Sequence, residues 1–387
     1  MLPDRADIVI VGGGVVGCSI AYHLAKAGAA PVLLEKNEIA SAASGGNSGQ
    51  ISITDREPGT QLDWSVRSLD LYREYEQKGE FVTDVEETGG LSILKSQDEI
   101  DKTIHLVHSL KATGIEIQML HGQEVLEKEP LINPDCVCGA IWCAREGRLN
   151  PMSITYGFAD RAVQMGATIH TGTAVTGFET VHGQITAVKT NKGTISVGTV
   201  IMSTAAWTAE LCSSLLLEYP IGYNRASALI CQPVPQCIRG PVVPGSFLAG
   251  EHIAGDWVGI AVTQHKNGSI LIGQSNRSMQ NYNTGIAYDE PMRIAATFAR
   301  HFPSLAYLQV IRMWSSVTPF MPDEMPLFGY SGVYRNLFMA AGLKGAFTTA
   351  PAAGESAAQI IISGKSTIDC AKYSPTRFEK EGMTHAH

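Results

Sequence analysis

Three glycines near the N-terminus have the spacing of a phosphate-binding turn. Gly12, Gly14 and Gly17 form a G-x-G-x-x-G frame directly after the β-branched run at residues 8–11. In such a turn the first glycine permits the tight bend, the second lets the backbone approach a pyrophosphate, and the third lets the next helix pack against the strand. The helix N-terminus adds free N–H groups and a positive partial charge. The spacing therefore predicts chemistry that depends on a bound dinucleotide.

An acidic residue follows at the distance that ribose recognition requires. Glu35 ends a second short strand at residues 31–34, 18 residues after Gly17. A carboxylate there accepts hydrogen bonds from ribose hydroxyls and repels a 2′-phosphate, which disfavours NADP and leaves FAD or NAD. Between the two strands, residues 18–27 have helical apolar spacing, and Gly28 stands at a helix C-cap position. These elements together predict a Rossmann-like unit.

A loop of small residues distinguishes the two remaining cofactors. Residues 39–51 include Ser44, Asn47 and Gly49, where an NAD-binding unit would normally continue with another helix and strand. The order strand, G-x-G-x-x-G, helix, strand, Glu and Ser-Gly-x-Asn-x-Gly resembles the D-amino-acid oxidase (DAO) superfamily. That family includes glycine, sarcosine and D-amino-acid oxidases and dehydrogenases, and the resemblance extends over almost the whole chain. It implies FAD as the cofactor.

The resemblance also implies which residues contact FAD. A third glycine-rich turn, at residues 342–354, again joins a strand to a helix N-terminus, whose dipole would stabilise the reduced ring. No cysteine lies in this turn, so we expect FAD to be non-covalent. Ala206 stands where the family usually has glycine. The expected cofactor-binding residues are Gly12, Gly14, Val16, Gly17, Glu35, Lys36, Ser44, Gly45, Asn47, Ser48, Gly49, Gln50, Val175, Ala205, Trp207, Gly342, Leu343, Lys344, Gly345 and Thr348.

Substrate recognition departs from the family pattern at one position. Thr318 stands where amino-acid oxidases of the family often carry an arginine that clamps the substrate carboxylate. Arg225 matches another arginine that is common in the family, and Arg277 and Arg56 are looser candidates for binding a carboxylate. His265, beside a predicted hairpin, is a candidate for lining the cleft.

Two polar residues are expected next to the flavin ring, namely Gln50 and Lys344. No residue is assigned as a general acid or base, because an amine that binds in its neutral form needs neither. The protein would then orient the substrate, exclude water from it and tune the electronic properties of the cofactor, while the cofactor carries out the oxidation.

The pattern of elements predicts an α/β fold class with an α+β substrate domain. We expect a Rossmann-like FAD-binding domain with an inserted, mainly antiparallel β-sheet domain, because strand signals dominate residues 220–309. Substrate would lie between the inserted sheet and the flavin. We assign residues 1–50, 146–209 and 311–387 to the FAD-binding domain and residues 51–145 and 210–310 to the substrate-binding domain.

Composition excludes several classes of function. Lys and Arg number 29 and Asp and Glu 37, and the resulting net charge of −8 argues against a nucleic-acid binder. No apolar run approaches the ~20 residues of a membrane span, and no secretory signal precedes the first strand, so we expect a cytoplasmic protein. Cys136, Cys138 and Cys143 form the one cysteine cluster in the sequence and lack a fourth ligand, so no metal site is expected.

The C-terminal segment narrows the functional hypothesis. Residues 368–378 resemble the end of a family branch of catalytic β-subunits in heteromeric opine oxidases, hydroxyproline dehydrogenases and hydrogen cyanide synthase, which pass electrons to partner subunits. We hypothesise that the protein oxidises a C–N bond of an amino acid or secondary amine, with an opine-like N-substituted amino acid favoured. Hydride would pass from the α-carbon to flavin N5, and the imine would hydrolyse. The electron acceptor stays open.

Three alternative functions are also consistent with the sequence. A 2-hydroxy-acid oxidase or dehydrogenase with FAD would share the fold, and Thr318 keeps it open. An NAD-dependent dehydrogenase would bind no flavin. A non-catalytic flavin-binding or electron-relay subunit would bind FAD without being reduced by any amine.

Overall fold

The computed structural model describes residues 1–246, 248 and 256–379 of the 387-residue chain. The strands in this part, numbered in chain order, are β1 (Arg5–Val11), β2 (Val32–Leu34), β3 (Gln50–Ile51), β4 (Gly90–Leu94), β5 (Ile117–His121), β6 (Gly139–Cys143), β7 (Gly147–Arg148), β8 (Thr168–His170), β9 (Val175–Val181), β10 (Gln184–Thr190), β11 (Gly193–Met202), β12 (Gly222–Cys231), β13 (Val242–Pro244), β14 (Trp257–Gln264), β15 (Ile270–Met279), β16 (Val310–Phe320), β17 (Leu327–Tyr330) and β18 (Leu337–Ala341). The α-helices are α1 (Val15–Lys26), α2 (Thr60–Gln77), α3 (Gln97–Ala112), α4 (Gln123–Lys128), α5 (Pro151–Gln164), α6 (Thr208–Ser213), α7 (Glu290–His301) and α8 (Ala346–Ser363).

The first sheet has a parallel centre. Its order is β17-β18-β11-β1-β2-β8, with β10 and β9 continuing from β11 as an antiparallel extension. Strands β18, β11, β1, β2 and β8 are mutually parallel, so their carboxyl ends lie at one edge. Ile10 and Leu33 face the core shared with α1, whereas Val9 and Val32 face a second core. Burial on both faces explains why β1 is an unbroken β-branched run.

The second sheet is mainly antiparallel, with the order β16-β12-β15-β14-β13-β4-β6-β5. Only β13 and β4 pair in parallel among its neighbours in the described residues. One face packs against α7, whose Ile294 and Phe298 are buried with Leu229 of β12. The other face approaches the first sheet, because Trp314 Nε1 of β16 donates a hydrogen bond to the Gly46 carbonyl, 3.0 Å away.

The predicted mixed α/β architecture is confirmed, as are many of its elements. The helical spacing predicted at residues 18–27 corresponds to α1, and the short strand predicted at residues 31–34 contains β2. Strand β16, which lies mostly within the residues that we assign to the FAD-binding domain, pairs with β12 in the second sheet. The domain boundaries as a whole stay a prediction. Within the described residues, we find no helix that combines the length and apolarity of a membrane span.

Candidate active site

A cavity of about 640 Å³ opens at the carboxyl edge of the first sheet. Its volume is in the range that holds a cofactor-sized ligand, and the carboxyl edge is where doubly wound sheets bind ligands. Its walls come from segments far apart in the chain, namely residues 11–14, 34–37, 40–44, 173–176, 203–205, 207, 210, 211 and 214.

The first glycine turn forms one wall, and its glycines are required by close backbone packing. Gly12 has φ +110°, and a Cβ there would collide with the Ser203 carbonyl. A Cβ at Gly17 would collide with the Gly12 carbonyl, so α1 packs against the turn only with glycine there. Gly14 is the N-cap of α1 and offers no side-chain cap, and Val16 in the first turn of α1 packs against the first core. Gly12, Gly13 and Gly14 therefore line the cavity with backbone and without side chains.

Glu35 lies in the cavity wall. Its two carboxylate oxygens accept hydrogen bonds from the backbone N–H of Gly13, at 2.7 Å, and of Asn37, at 2.8 Å. The carboxylate is thus held beside the first turn.

An aromatic group closes one end of the cavity. The Lys36 Nζ lies 3.4 Å from the centre of the Trp207 ring. The centres of the Trp207 and Tyr282 rings are 4.3 Å apart. Burial lowers the pKa of Lys36, and the charge of Glu35 opposes that shift. Trp207 lies in the cavity wall next to a turn in which Ala205 has φ +46°.

Val175, at the start of β9, also lines the cavity. The glycine that the family usually has at position 206 is replaced by Ala206, yet the left-handed backbone falls one residue earlier, at Ala205. Ala206 itself therefore does not adopt a positive φ, so the absence of glycine at this position causes no backbone strain.

The second small-residue loop connects the cavity to the second sheet. The Ser44 hydroxyl accepts a hydrogen bond from Val15 N at 2.9 Å, which ties the loop to the N-terminus of α1. Glycine is required at position 45, where a Cβ would collide with the Ala40 carbonyl, and the Asn47 side chain accepts from Gly49 N at 2.8 Å. The neighbouring Ser48 is half-buried.

The end of this loop brings three predicted site residues together. Gly49 has φ +74°, and a Cβ there would lie 3.3 Å from His265 Cε1. The next side chain, Gln50, donates from Nε2 to the Thr263 hydroxyl at 2.8 Å. Burial lowers the pKa of His265, and the charge of Arg148 lowers it further, so the imidazole is neutral at pH 7.

The third turn places an unexpected cation beside the start of α8. Gly345 has φ +57° and is the N-cap of α8 without a side-chain cap, and Thr348 is buried in the first turn. The Arg56 side chain is 1% exposed, and its Nη2 donates to the Lys344 carbonyl at 3.1 Å. Lys344 itself is 46% exposed, with Nζ 3.9 Å from Asp55 and 3.8 Å from Glu324.

Leu343, in the same turn, packs against the first core. A Cβ at Gly342, where φ is +72°, would lie 3.1 Å from Met321 Cγ. The turn is therefore packed on one side and carries its charged groups on the other.

Two predicted arginines lie on the far face of the second sheet. Arg225 of β12 pairs with Val317 of β16, whereas Ala226 and Ala228 pair with Ser316 and Trp314. Because successive residues of a strand point to opposite faces, Arg225 lies on the face opposite to Trp314. The Arg225 guanidinium binds the buried Glu290 of α7.

Arg277 shares that face, with Nε 2.9 Å from Asp256 and 3.5 Å from Glu290. The structure therefore does not bring Arg225 or Arg277 together with the other predicted site residues. Thr318 is on the face of Trp314 but is exposed, and its hydroxyl donates to the Asn224 carbonyl at 3.4 Å.

Glu146 is a structural member of the site that sequence reasoning missed. Its buried carboxylate accepts from Ile53 N at 2.9 Å, Thr54 N at 2.9 Å and the Thr54 hydroxyl at 2.6 Å. Burial raises its pKa, although these hydrogen bonds oppose the shift. Glu146 thereby anchors the loop that carries Arg56. No spacing signal connects these positions, which lie about 90 residues apart in the chain.

The residues present fit FAD. A glycine cradle that a Cβ would fill, an uncapped helix N-terminus and Glu35 suit the adenosine diphosphate half. The second loop leads from there toward the second sheet, and the third turn adds another uncapped helix N-terminus. Among the residues described, no group of three or more His, Cys, Asp or Glu side chains is arranged to hold a metal ion.

Comparison with known proteins agrees with this geometry. A family model described as DAO, FAD dependent oxidoreductase, matches residues 7–360. The regulatory subunit of mitochondrial pyruvate dehydrogenase phosphatase from Mus musculus is 26% identical over 350 residues, which are 89% of this chain and 40% of that protein. Sarcosine oxidase subunit beta from Arthrobacter sp is 27% identical over 395 residues, covering 98% of this chain and 93% of the other.

A solved structure covers the chain equally well. The crystal structure of L-proline dehydrogenase from P. horikoshii matches with a TM-score of 0.89 and 28% identity, over 98% of this chain and 99% of that chain. The sequence-based recognition of the family and of its cofactor is confirmed. From its glycine turns, its cavity and the family model that spans most of its length, we conclude that this chain belongs to the DAO family of FAD-dependent oxidoreductases.

Proposed function

We propose that this protein oxidises the C–N bond of an amino acid whose nitrogen carries a substituent, using non-covalent FAD. The observation that carries the proposal is its similarity, over nearly the whole chain, to proteins named sarcosine oxidase subunit beta and L-proline dehydrogenase. Sarcosine and proline are both amino acids with a secondary amine. An opine-like amino acid has the same group and is the substrate class that we favour.

The first turn and α1 would hold the pyrophosphate of FAD, and Glu35 would hold the ribose. The third turn would meet the ring. Bound FAD would supply the acceptor for the hydride that leaves the substrate α-carbon, and water would then convert the released imine to an amine and a keto acid.

The substrate would lie against the face of the second sheet that carries Trp314. Small side chains, Ala226 and Ala228, lie on this face and leave room for a substituent on nitrogen. The Ser316 Oγ and Asn224 Oδ1 on the same face are buried without a hydrogen-bond partner. Buried acceptors of this kind favour a polar ligand with an N–H group. A desolvated, neutral face also favours the unprotonated amine, which is the form that loses hydride.

We also propose that a partner subunit takes the electrons. This rests on the name of the Arthrobacter relative, which is one subunit of an oxidase and matches this chain over 93% of its own length. Reduced protein should then react faster with an artificial acceptor than with air. Equal or faster reaction with oxygen would instead indicate an oxidase.

A second candidate is a non-catalytic flavin-binding subunit. It is favoured by the similarity to a protein named as a regulatory subunit, of which this chain spans 40% of the length. Such a protein would bind FAD and show no reduction by any amine.

The test is an anaerobic substrate screen. The purified protein should be yellow, and its flavin absorbance should disappear on mixing with secondary amino acids and opines. For an opine, the products should be one keto acid and one primary amine in equal amounts. Reduction by 2-hydroxy acids alone would support the hydroxy-acid alternative, and absence of reduction by every compound would support the non-catalytic candidate.

A further inference from the structure

The guanidinium of Arg56 is buried and incompletely bonded. Its side chain is 1% exposed, yet Nε and Nη1 have no hydrogen-bond partner. Nη1 lies 3.3 Å from the Asp55 carboxylate without hydrogen-bond geometry, and Nη2 donates to the Lys344 carbonyl. Leaving buried donors of a charged group unpaired costs free energy. A native protein therefore retains such donors where they bind a ligand or provide an electrostatic field.

This guanidinium lies directly against the N-terminus of α8. A Cβ at Gly345 would collide with Arg56 Nη2, so the glycine leaves the space that the cation occupies. Helix α8 runs for 18 residues, and its N-cap residue offers no side chain to its free N–H groups. The positive end of a long helix and a buried cation therefore coincide at the third turn.

The loop that carries Arg56 is held rigidly. Glu146 binds the backbone N–H groups of Ile53 and Thr54, and the Ser52 hydroxyl donates to Asp55 at 2.9 Å. The backbone that carries Arg56 is thus placed in advance.

The charges of Asp55 and Lys344 modify the electrostatic field of Arg56 in opposite directions. Burial alone would raise the pKa of Asp55, but the charges of Arg56 and Lys344 outweigh it and the pKa lies below its ordinary value. Asp55 is therefore an anion that offsets part of the Arg56 charge. Lys344 is nearly half exposed, so water and salt screen it.

We propose that Arg56 sets the reduction potential of the flavin from beneath the third turn, with Asp55 attenuating its charge and Lys344 contributing little. The inference rests on the part of the proposed function that brings the flavin ring to this turn. Two-electron reduction leaves negative charge on the ring, and a buried cation stabilises that charge because little solvent screens it. Arg56 is thus a tuning residue, whereas the sequence had offered it as a carboxylate ligand.

The test measures the flavin without an amine substrate. Sulfite adds through its sulfur to N5 of oxidised flavin and leaves negative charge on the ring, so its Kd reports the same field. For Arg56→Gln we expect about 100-fold weaker sulfite binding and a 100-fold smaller equilibrium constant for reduction, which is about 60 mV in midpoint potential. For Asp55→Asn we expect about tenfold tighter sulfite binding and a higher potential.

The matched control is Lys344→Gln, which removes a cation from the same turn and should change the sulfite Kd by less than about threefold. An Arg56→Gln protein that binds FAD with unchanged sulfite affinity and potential would overturn the inference, as would a larger effect at Lys344. Where Arg56→Gln does not fold, Asp55→Asn decides, because only an attenuating role predicts tighter sulfite binding. A wild-type protein that binds sulfite but is reduced by no amine would refute the proposed function and leave this inference standing.

Discussion

The first and third glycine turns have the same strand–turn–helix arrangement, but different chemical groups pack against their glycines. Both join a parallel strand to a helix whose N-cap residue is a glycine without a capping side chain, Gly14 in one and Gly345 in the other. In the first turn, the group that an added Cβ would strike is a backbone carbonyl, whereas at Gly345 it is the end of the Arg56 side chain. The first turn is therefore packed against backbone and lies beside the Glu35 carboxylate, and the third lies beside a cation from a residue 288 positions away in the chain. Under the functions proposed above, holding the cofactor and tuning its reduction potential are separate tasks in this chain.

The largest expected effect breaks the backbone cradle. Gly17→Ala should abolish FAD retention, because its Cβ collides with the Gly12 carbonyl and neither backbone can move without separating α1 from β1. The ratio of flavin to protein absorbance after gel filtration measures this.

The matched variant in the third turn is Gly345→Ala. It should keep FAD, since the obstructing group is a flexible side-chain end and the left-handed backbone costs only about 1 kcal/mol. Equal loss of FAD in both variants would remove the distinction between the turns.

The next effect concerns the anchor of the charged turn. Glu146→Ala should lower the free energy of unfolding by about 2–4 kcal/mol, because it leaves three donors of Ile53 and Thr54 buried without an acceptor. Glu146→Gln keeps an acceptor oxygen and should cost less than about 1 kcal/mol. Denaturant unfolding of both variants is the measurement, and a similar large loss in each would show that the charge, not the acceptor, is needed.

A smaller effect is expected at the junction between the second loop and the second sheet. Gln50→Ala should reduce kcat/KM about tenfold while leaving FAD content unchanged, because the side chain bridges to Thr263 on the proposed substrate side. Thr263→Val is the matched variant that removes the same bond from its other end. If both variants lose FAD and keep kcat/KM per bound flavin, this junction holds the cofactor instead.

The smallest effect is a dependence on pH. His265 has a pKa below its ordinary 6.5 in the folded state, so its contribution to stability is present above that value and is lost as pH falls through the folded pKa. Thermal stability should therefore decline below about pH 6, and His265→Asn should reduce that decline. An identical pH profile for both proteins would exclude His265 as the cause.

The cradle could be predicted from sequence because its parts are close together in the chain. Gly12, Gly14, Gly17 and Glu35 lie within one strand–helix–strand unit, and backbone geometry demands their spacing. The third turn was also visible as a strand, a glycine run and a helix, although its partner Arg56 was not. That partner depends on a loop anchored by Glu146, and neither contact leaves a periodic signal.

Arg225 illustrates the limit for the substrate side. Its position resembles that of an arginine common in the family, but strand alternation in β12 directs it to α7, where Glu290 neutralises its charge. Alternation can be read from sequence, but which face meets the cofactor depends on how two sheets pack. The same limit applies to residues 311–320, because the pairing of β16 with β12 is a long-range contact that the local sequence does not specify.

The most direct test of the account compares three compounds with one carbon skeleton. N-methylalanine, alanine and lactate each carry a hydrogen on the carbon to be oxidised, and they differ in whether that carbon bears a secondary amine, a primary amine or a hydroxyl. In anaerobic stopped-flow mixing, we predict that N-methylalanine reduces the bound flavin at least tenfold faster than alanine and that lactate leaves it oxidised. Fastest reduction by lactate, or no reduction by any of the three nor by proline, sarcosine and opines, would contradict the account.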